Sequence, residues 1–203
     1  MTKHNNQRVA VFIDVQNMYY SARNLFNAKV NFGNIVREAV AGRNLVRAIA
    51  YVVSTKTGEE KPFFEALEKA GIQTKEKELQ EFFGGAKKAD WDVGIAVDMI
   101  KLASKVDAIV LVSGDGDFQS VTEYISNTHG CLVEVMAFGE TMSSKLRDAV
   151  DDFTDLSANK EMFLIGPASK RAAVAREVEP EIEDAPKRKT GLRGRQRFSL
   201  KDL

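Results

Sequence analysis

Asp115 and Asp117 stand two residues apart at the end of an apolar segment, in the stretch 111–118 (LVSGDGDF). A continuous run of Val, Ile and Leu, such as the one before them, is typical of a strand buried on both faces of a parallel sheet. Paired carboxylates at the end of such a strand can hold a cation or can simply shape a turn. The positions of the other acidic residues decide between these interpretations.

Other aspartates are placed so that they could join this pair. Asp14 ends the first apolar run of the chain, and Asp90, Asp92 and Asp98 lie in the segment that leads into the strand before Asp115. In an open parallel sheet, sites form at the carboxyl ends of the strands, where the strand order reverses. The helix that leads into this strand runs antiparallel to it and therefore begins at the same edge. This favours Asp92 as a site residue and Asp90 as the helix cap, and it leaves the role of Asp98 open.

The converging carboxylates would form a site for a divalent cation, because acids this close remain ionised only when a cation compensates their charge. Ligands that are all oxygen atoms suit Mg²⁺ or Mn²⁺ better than zinc. Such a cation holds a substrate phosphate and activates water for in-line attack. Both histidines, His4 and His129, are expected to lie away from the site. A water activated by the metal would therefore be the nucleophile.

Each aspartate also has a purely structural interpretation. Asp14 could form an Asx-type turn with the residues that follow it, and Asp115 could be a turn residue between its glycines. Asp117 could cap the helix that begins after it, and Asp98 could pair with a lysine later on its own helix. For any single residue the structural role is the commoner one. The joint placement of acids at two strand ends and one helix start favours a site.

The rest of the chain predicts the elements that position these acids. Apolar runs alternate with segments of helical period, five times along the chain, which indicates an α/β three-layer sandwich with right-handed crossovers. The alternating third run would be an edge strand. The predicted strands are 8–14, 44–53, 71–78, 108–114 and 131–139. The predicted helices are 18–28, 34–41, 59–70, 90–104, 118–128 and 143–150.

The segment 79–91 (LQEFFGGAKKADW) interrupts this rhythm. Its Phe-Phe-Gly-Gly stretch predicts a tight turn or a hairpin that carries exposed aromatic side chains, and Lys87 and Lys88 follow directly. The alternative is a hydrophobic plug under a loop.

Composition sets the class of protein and its compartment. The chain has 203 residues, of which 44% are hydrophobic and 29% charged, and its net charge is zero, as expected for one ordinary domain with an appendage. The single cysteine, Cys131, rules out an intramolecular disulfide and a cysteine metal cluster. No apolar run is long enough to span a membrane, and the polar N-terminus does not resemble a secretory signal. The default prediction is a cytoplasmic protein that does not insert into a membrane.

Three regions are predicted along the chain: a disordered N-terminus at 1–7, a folded domain at 8–166 and a charged, disordered tail at 167–203. The tail contains an acidic block at 177–184 and a basic block at 187–197. Segments so poor in apolar residues cannot form a core. The basic block could bind phosphates or could simply be solvated.

Three motifs carry a resemblance to a known family. The segments VFIDVQNMYYSA, KKADWDVGIAVDMI and AIVLVSGDGDFQSVTEYI, in this order, resemble the NYN domain family in its bacterial LabA-like branch, which belongs to the PIN-like nuclease superfamily. The similarity covers 8–156. It implies a mostly parallel, five-stranded PIN-like sheet in the strand order 3-2-1-4-5, in which the first and fourth strands are neighbours.

The resemblance also implies a Mg²⁺- or Mn²⁺-dependent endoribonuclease acting on RNA. The family's catalytic and metal-binding acids match Asp14, Asp92, Asp115 and Asp117. Asn17 and Ser113 match polar positions beside that site and are expected to contact the RNA, as are Arg23, Lys87 and Lys88. Phe82, Phe83 or Trp91 could stack on a base.

Two other functions remain to be weighed. The first is an RNA-binding or regulatory module that keeps the acids but cleaves poorly, since carboxylates alone do not fix turnover. The second is a phosphatase on a similar sheet, which the sequence disfavours because the acidic pair of such enzymes follows the first strand. The family resemblance leaves a homodimer open.

Overall fold

The computed structural model describes residues 3–54, 60–78, 80–81, 87–88 and 90–166, and the fold is given for these ranges. The strands are β1 (Arg8–Asp14), β2 (Lys29–Val30), β3 (Asn44–Ser54), β4 (Gln73–Glu78), β5 (Gln80–Glu81), β6 (Lys87–Lys88), β7 (Ala108–Val112), β8 (Leu132–Ala137), β9 (Asp152–Asp155) and β10 (Leu164–Ile165). The α-helices are α1 (Val15–Phe26), α2 (Phe32–Val40), α3 (Lys61–Lys69), α4 (Asp92–Ala103), α5 (Gln119–His129), α6 (Ser144–Asp148) and α7 (Lys160–Phe163).

The central sheet of the described residues has six parallel strands in the order β4-β3-β1-β7-β8-β9. The five strands predicted from the sequence are present in the predicted order, and the α/β class is confirmed. The prediction of five strands missed β9, whose sequence is DFTD. Two of its four residues are acidic and all four are only half-buried, so it lacks the apolar run by which the other strands were recognised.

Helices cover both faces of the sheet, which explains the continuous apolar runs of the central strands. In β1, Val9, Val11 and Ile13 face the side of α1, α2 and α3, whereas Ala10 and Phe12 face the side of α4 and α5. All five side chains are fully buried. The two apolar clusters therefore lie on opposite faces of one sheet, as the alternation of side chains along a strand requires.

The strand order reverses between β1 and β7. The chain leaves β1 through α1 and reaches β3 on one side, and it leaves β7 through α5 and reaches β8 on the other. Ile13 of β1 pairs with Val112 of β7. Asp14 and Ser113 each follow one residue later, so the ends of the two strands bring them side by side.

The strand β4 forms one edge of the sheet, as predicted from its alternating sequence QTKEKE. Charged residues on an edge strand discourage pairing with another chain. On the β4 side facing α4, Lys75 lies 6.0 Å from the ring of Tyr51 and Lys77 lies 5.5 Å from the ring of Trp91. The edge strand therefore also contacts the beginning of α4.

A buried ion pair joins Arg43, which lies between α2 and β3, to Glu134 of β8. The two terminal guanidinium nitrogens of Arg43 donate to the carboxylate of Glu134, at 2.5 and 2.9 Å. The guanidinium also donates to the carbonyls of Ala39 and Val40. Lys3 approaches the same carboxylate at 3.2 Å. Residue 3 of the predicted disordered segment 1–7 is thus in contact with β8.

Other predictions concern the chain outside this sheet. The segment 79–91, predicted as a tight turn or hairpin, contains β5 and β6, which pair antiparallel. Its Phe82–Gly85 stretch lies outside the described residues. The predicted tail at 167–203 also lies outside them. None of the helices in the described ranges combines the length and the apolar character that a membrane crossing requires.

Candidate metal centre

Asp14 stands where β1 passes directly into α1. Its Oδ1 accepts a 3.0 Å hydrogen bond from the backbone N–H of Asn17 and caps the helix. Its Oδ2 accepts a 3.3 Å hydrogen bond from the hydroxyl of Ser113 at the end of β7. The structural role offered to Asp14 by the sequence is therefore present, and the same carboxylate also joins the two strand ends.

The turn after β7 is fixed by hydrogen bonds that involve most of its polar groups. The backbone N–H of Gly114 donates to Oδ1 of Asn17 at 3.1 Å, and that of Asp115 donates to the hydroxyl of Ser113 at 3.2 Å. Oδ1 of Asp115 accepts from the backbone N–H of Asp117 at 3.0 Å. The cap of the turn before α5 is thus Asp115, and the alternative that Asp117 caps this helix was wrong.

Three of the predicted acids come together at this edge of the sheet. One carboxylate oxygen from each of Asp92, Asp115 and Asp117 lies within 4.8 Å of the others. Asp117 is exposed, while Asp92 and Asp115 are half-buried. This all-oxygen set of donors, open to solvent on one side, has the chemistry that Mg²⁺ or Mn²⁺ requires.

Asp14 lies behind this cluster and is almost completely buried, with 7% of its surface exposed. The pKa of its carboxyl is raised to about 6, mainly by burial and to a smaller extent by the nearby charges of Asp92 and Asp115, while the hydrogen bonds from Asn17 and Ser113 oppose the rise. A cation beside these carboxylates would reverse the electrostatic part of this effect. A bound cation would therefore favour the charged form of Asp14.

Comparison with known proteins agrees with this arrangement. The family model of the NYN domain matches residues 8–157. The chain belongs to the NYN domain family. It is 29% identical over 167 residues to the Low amplitude and bright protein LabA of Synechococcus elongatus, an alignment that covers 74% of this chain and 84% of that protein. It is also similar to the crystal structure of a Vibrio parahaemolyticus protein of unknown function, with a TM-score of 0.73 and 30% identity, covering 81% of this chain and all of that one.

Asp92 of this NYN domain is held by contacts around the first turn of α4. The indole N–H of Trp91 donates a 2.9 Å hydrogen bond to the carbonyl of Val52, and the amine of Lys77 donates one of 2.9 Å to the carbonyl of Asp90. A Cβ at Gly94 would lie 2.6 Å from the Trp91 ring, so only glycine lets the helix pass this close. Trp91 therefore anchors the beginning of the helix, and its stacking on a base stays a prediction.

Asp98 of the same helix faces the sheet and its edge. It accepts hydrogen bonds from the hydroxyl of Tyr51 at 2.8 Å and from the amine of Lys75 at 2.5 Å, and Lys101 lies 3.7 Å away. Burial disfavours its charge, but these hydrogen bonds and the two lysine charges outweigh burial and lower its pKa. The predicted pairing with a lysine on its own helix is present, and the open role of Asp98 is that of an anchor.

The predicted RNA-contacting residues of the NYN domain fall into two groups. Asn17 and Ser113 lie beside the aspartates, as described above. Arg23 is exposed on the last turn of α1, where it donates a 3.2 Å hydrogen bond to the hydroxyl of Tyr19. The backbones of Lys87 and Lys88 form β6, and their side chains lie outside what the structure describes. Their contact with RNA stays a prediction.

Sequence reasoning missed the loop after β8, which covers the acidic turn. The backbone N–H of Ser143 donates a 3.0 Å hydrogen bond to the carbonyl of Gly114, and a Cβ at Gly114 would lie 2.8 Å from the carbonyl oxygen of Thr141. Asp155, the last residue of β9, accepts from the backbone N–H groups of Gly139 and Ser157, both at 2.8 Å. The glycines of the SGDGD turn were the available signal, because a close approach of two backbones calls for glycine.

Proposed function

We propose that this protein is a metal-dependent endoribonuclease that hydrolyses phosphodiester bonds of RNA in the cytoplasm. The observation that carries the proposal is the cluster of Asp92, Asp115 and Asp117, with one oxygen from each within 4.8 Å, at the reversal point of an NYN sheet. Asp14, buried behind the cluster, completes the set of acids that the resemblance assigns to the metal site.

The three clustered aspartates, with Asp14 behind them, would hold Mg²⁺ or Mn²⁺. A cation there supplies charge compensation for a phosphodiester and lowers the pKa of water. The remaining groups organise the acids. Ser113 joins Asp14 to the backbone of Asp115, and Asn17 fixes the turn through Gly114, so the carboxylates are held before substrate arrives.

RNA would be contacted from several directions around this centre. The amide oxygen of Asn17 is used by Gly114, and within the described residues its amide nitrogen makes no hydrogen bond, so it is available to a phosphate oxygen. Arg23 lies nine residues after Asp14, on the last turn of α1. At 1.5 Å per residue this places it roughly 13 Å from Asp14 along the helix axis. It would therefore meet a phosphate at a distance from the one being cleaved. Lys87 and Lys88 would provide further charge.

The test is cleavage of a fluorophore- and quencher-labelled RNA with added Mn²⁺ or Mg²⁺. We expect cleavage by the wild-type protein, its loss with EDTA, and a fall of at least about 100-fold in Asp92→Asn and Asp115→Asn. Asp107→Asn is the matched control, because Asp107 lies at the amino end of β7, opposite to the strand ends that carry the acids, and pairs there with Arg8. Equal cleavage by all variants would mean that the activity belongs to a contaminant.

The second candidate is an RNA-binding module that does not cleave. It is favoured by the observation that both oxygens of Asp14 already accept hydrogen bonds, which leaves three acids in close contact. Binding of RNA by wild-type protein and Asp115→Asn alike, with no cleavage of any RNA at any metal concentration, would replace the nuclease proposal with this one.

A further inference from the structure

Ser143 stands at the start of α6, but its hydroxyl does not cap that helix. The residue has the extended backbone of a helix cap (φ −64°, ψ 128°), yet its side chain makes no capping hydrogen bond. Serine in this position usually bonds to a backbone N–H of the first turn. The hydroxyl must therefore be directed elsewhere.

The hydroxyl lies close to the acidic turn. A Cβ built on Gly116 would lie 2.6 Å from the Ser143 hydroxyl oxygen and 3.1 Å from the Ser143 Cβ. Gly116 separates Asp115 from Asp117, two members of the acidic cluster. The Ser143 backbone is tied to the other side of the same turn by its hydrogen bond to Gly114. The backbone and the side chain of Ser143 thus both lie against the turn that carries the two aspartates.

The Ser143 hydroxyl is a hydrogen-bond donor beside a cluster of carboxylates, which are acceptors. Within the described residues it makes no hydrogen bond, and the residue is half-buried against the turn. A phosphodiester at the cluster would bring non-bridging oxygens, which accept hydrogen bonds from donors around the site. Serine hydroxyls are regular partners of nucleic-acid phosphates.

We propose that Ser143 is a substrate-contacting residue whose hydroxyl donates a hydrogen bond to a non-bridging oxygen of the RNA phosphate at the acidic cluster. This inference rests on the proposed function for its substrate. It goes beyond the acids and their metal, because it assigns to the loop after β8 a direct part in holding the scissile phosphate.

The test compares Ser143→Ala with Ser144→Ala, the exposed neighbouring serine on α6. Four quantities are measured in the full chain: the Kd for Mn²⁺ by calorimetry, the melting temperature, the Kd for a labelled RNA, and KM and kcat for cleavage. We expect Ser143→Ala to raise the RNA Kd and KM about tenfold, in keeping with loss of one hydrogen bond to a charged group. The Mn²⁺ Kd, the melting temperature and kcat should stay within about twofold or about 2 °C of wild type.

The outcomes separate this inference from the proposed function. If wild type cleaves RNA and both serine variants match it, the Ser143 inference is overturned and the nuclease stands. If the RNA is bound but not cleaved, a tenfold weaker binding by Ser143→Ala still supports the phosphate contact while the nuclease proposal fails. An equal effect on Mn²⁺ affinity and on melting temperature would show that Ser143 only shapes the turn.

Discussion

The hydroxyl of Tyr51, in the middle of β3, donates a 2.8 Å hydrogen bond to Oδ2 of Asp98 in α4. Burial, together with this hydrogen bond and the charge of Asp98, raises the pKa of Tyr51 far above its usual value. Lys75 of the edge strand binds the same carboxylate oxygen. Asp92 begins the same helix six residues earlier, so these contacts help to position one acid of the candidate metal centre from a distance.

Tyr51→Phe tests this anchor, because it removes the hydroxyl and keeps the ring packed against Trp91. We expect a loss of about 1–2 kcal/mol in the free energy of unfolding, the usual cost of one buried hydrogen bond to a charged group. Mn²⁺ binding should weaken about two- to fivefold as α4 loosens. Tyr124→Phe, on an exposed ring, is the control for thermal unfolding and calorimetry. Unchanged Mn²⁺ affinity in a destabilised Tyr51→Phe would separate the anchor from the metal centre.

The raised pKa of Asp14 predicts a pH dependence of stability in the metal-free protein. The folded carboxyl has a pKa of about 6 and the unfolded one about 4, so between these values the folded state binds more protons. The contribution of Asp14 to stability is therefore present below pH 4 and is lost as the pH rises through 6, by about 2–3 kcal/mol. Relative to wild type, the free energy of unfolding of Asp14→Asn should therefore rise by this amount between pH 4 and pH 7. Urea unfolding in the presence of EDTA measures it.

Asp107 provides the opposite sign for comparison. Its pKa is lowered by hydrogen bonds from Arg8, so its contribution is present at neutral pH and is lost as the pH falls through its folded pKa. Asp107→Asn should thus have a lower free energy of unfolding than wild type at neutral pH. The same pH trend in both variants would refute the assignment of the effect to Asp14.

The buried pair of Arg43 and Glu134 predicts a large effect of a single substitution. The Arg43 side chain is fully buried, so Glu134→Leu leaves a charge in the core with no carboxylate to compensate it. We expect a loss of about 3–5 kcal/mol in the free energy of unfolding, measured by chemical denaturation. The double variant Arg43→Met/Glu134→Leu removes both charges and should lie closer to wild type than Glu134→Leu does. A double variant as unstable as the single one would contradict this reasoning.

The close approach of two backbones at the acidic turn predicts the effect of a methyl group. In Gly114→Ala the new Cβ would lie 2.8 Å from the carbonyl oxygen of Thr141, a backbone atom that can yield only if the loop after β8 moves. We expect a loss of about 1–3 kcal/mol in stability and weaker Mn²⁺ binding. Gly33→Ala in α2 is the control, because its Cβ would meet ordinary contacts at 3.6 and 3.8 Å. It should unfold at the wild-type temperature or above.

The sequence predicted well wherever local chemistry determines structure. The apolar runs 8–14 and 108–114 gave the two central strands, and the acids at their ends gave the edge at which Asp92, Asp115 and Asp117 meet. The prediction was wrong where several local solutions compete: Asp115, rather than Asp117, caps the turn. It was silent where position depends on distant contacts. Ser143 was not recognised, because the loop that carries it meets the acidic turn only in the folded chain. That loop is also bonded to the end of β9, whose four residues lack an apolar run.

The clamp that Asp155 places on the loop after β8 has a consequence for the order in which the centre is assembled. Translation delivers the acids at positions 14, 92, 115 and 117 first, and the strand that secures the loop over them about 40 residues later. A nascent chain that ends before β9 carries all four aspartates but lacks the Asp155 carboxylate that accepts from Gly139 in the loop after β8. The loop over the acidic turn therefore gains this tether only when the last strand of the central sheet has been synthesised.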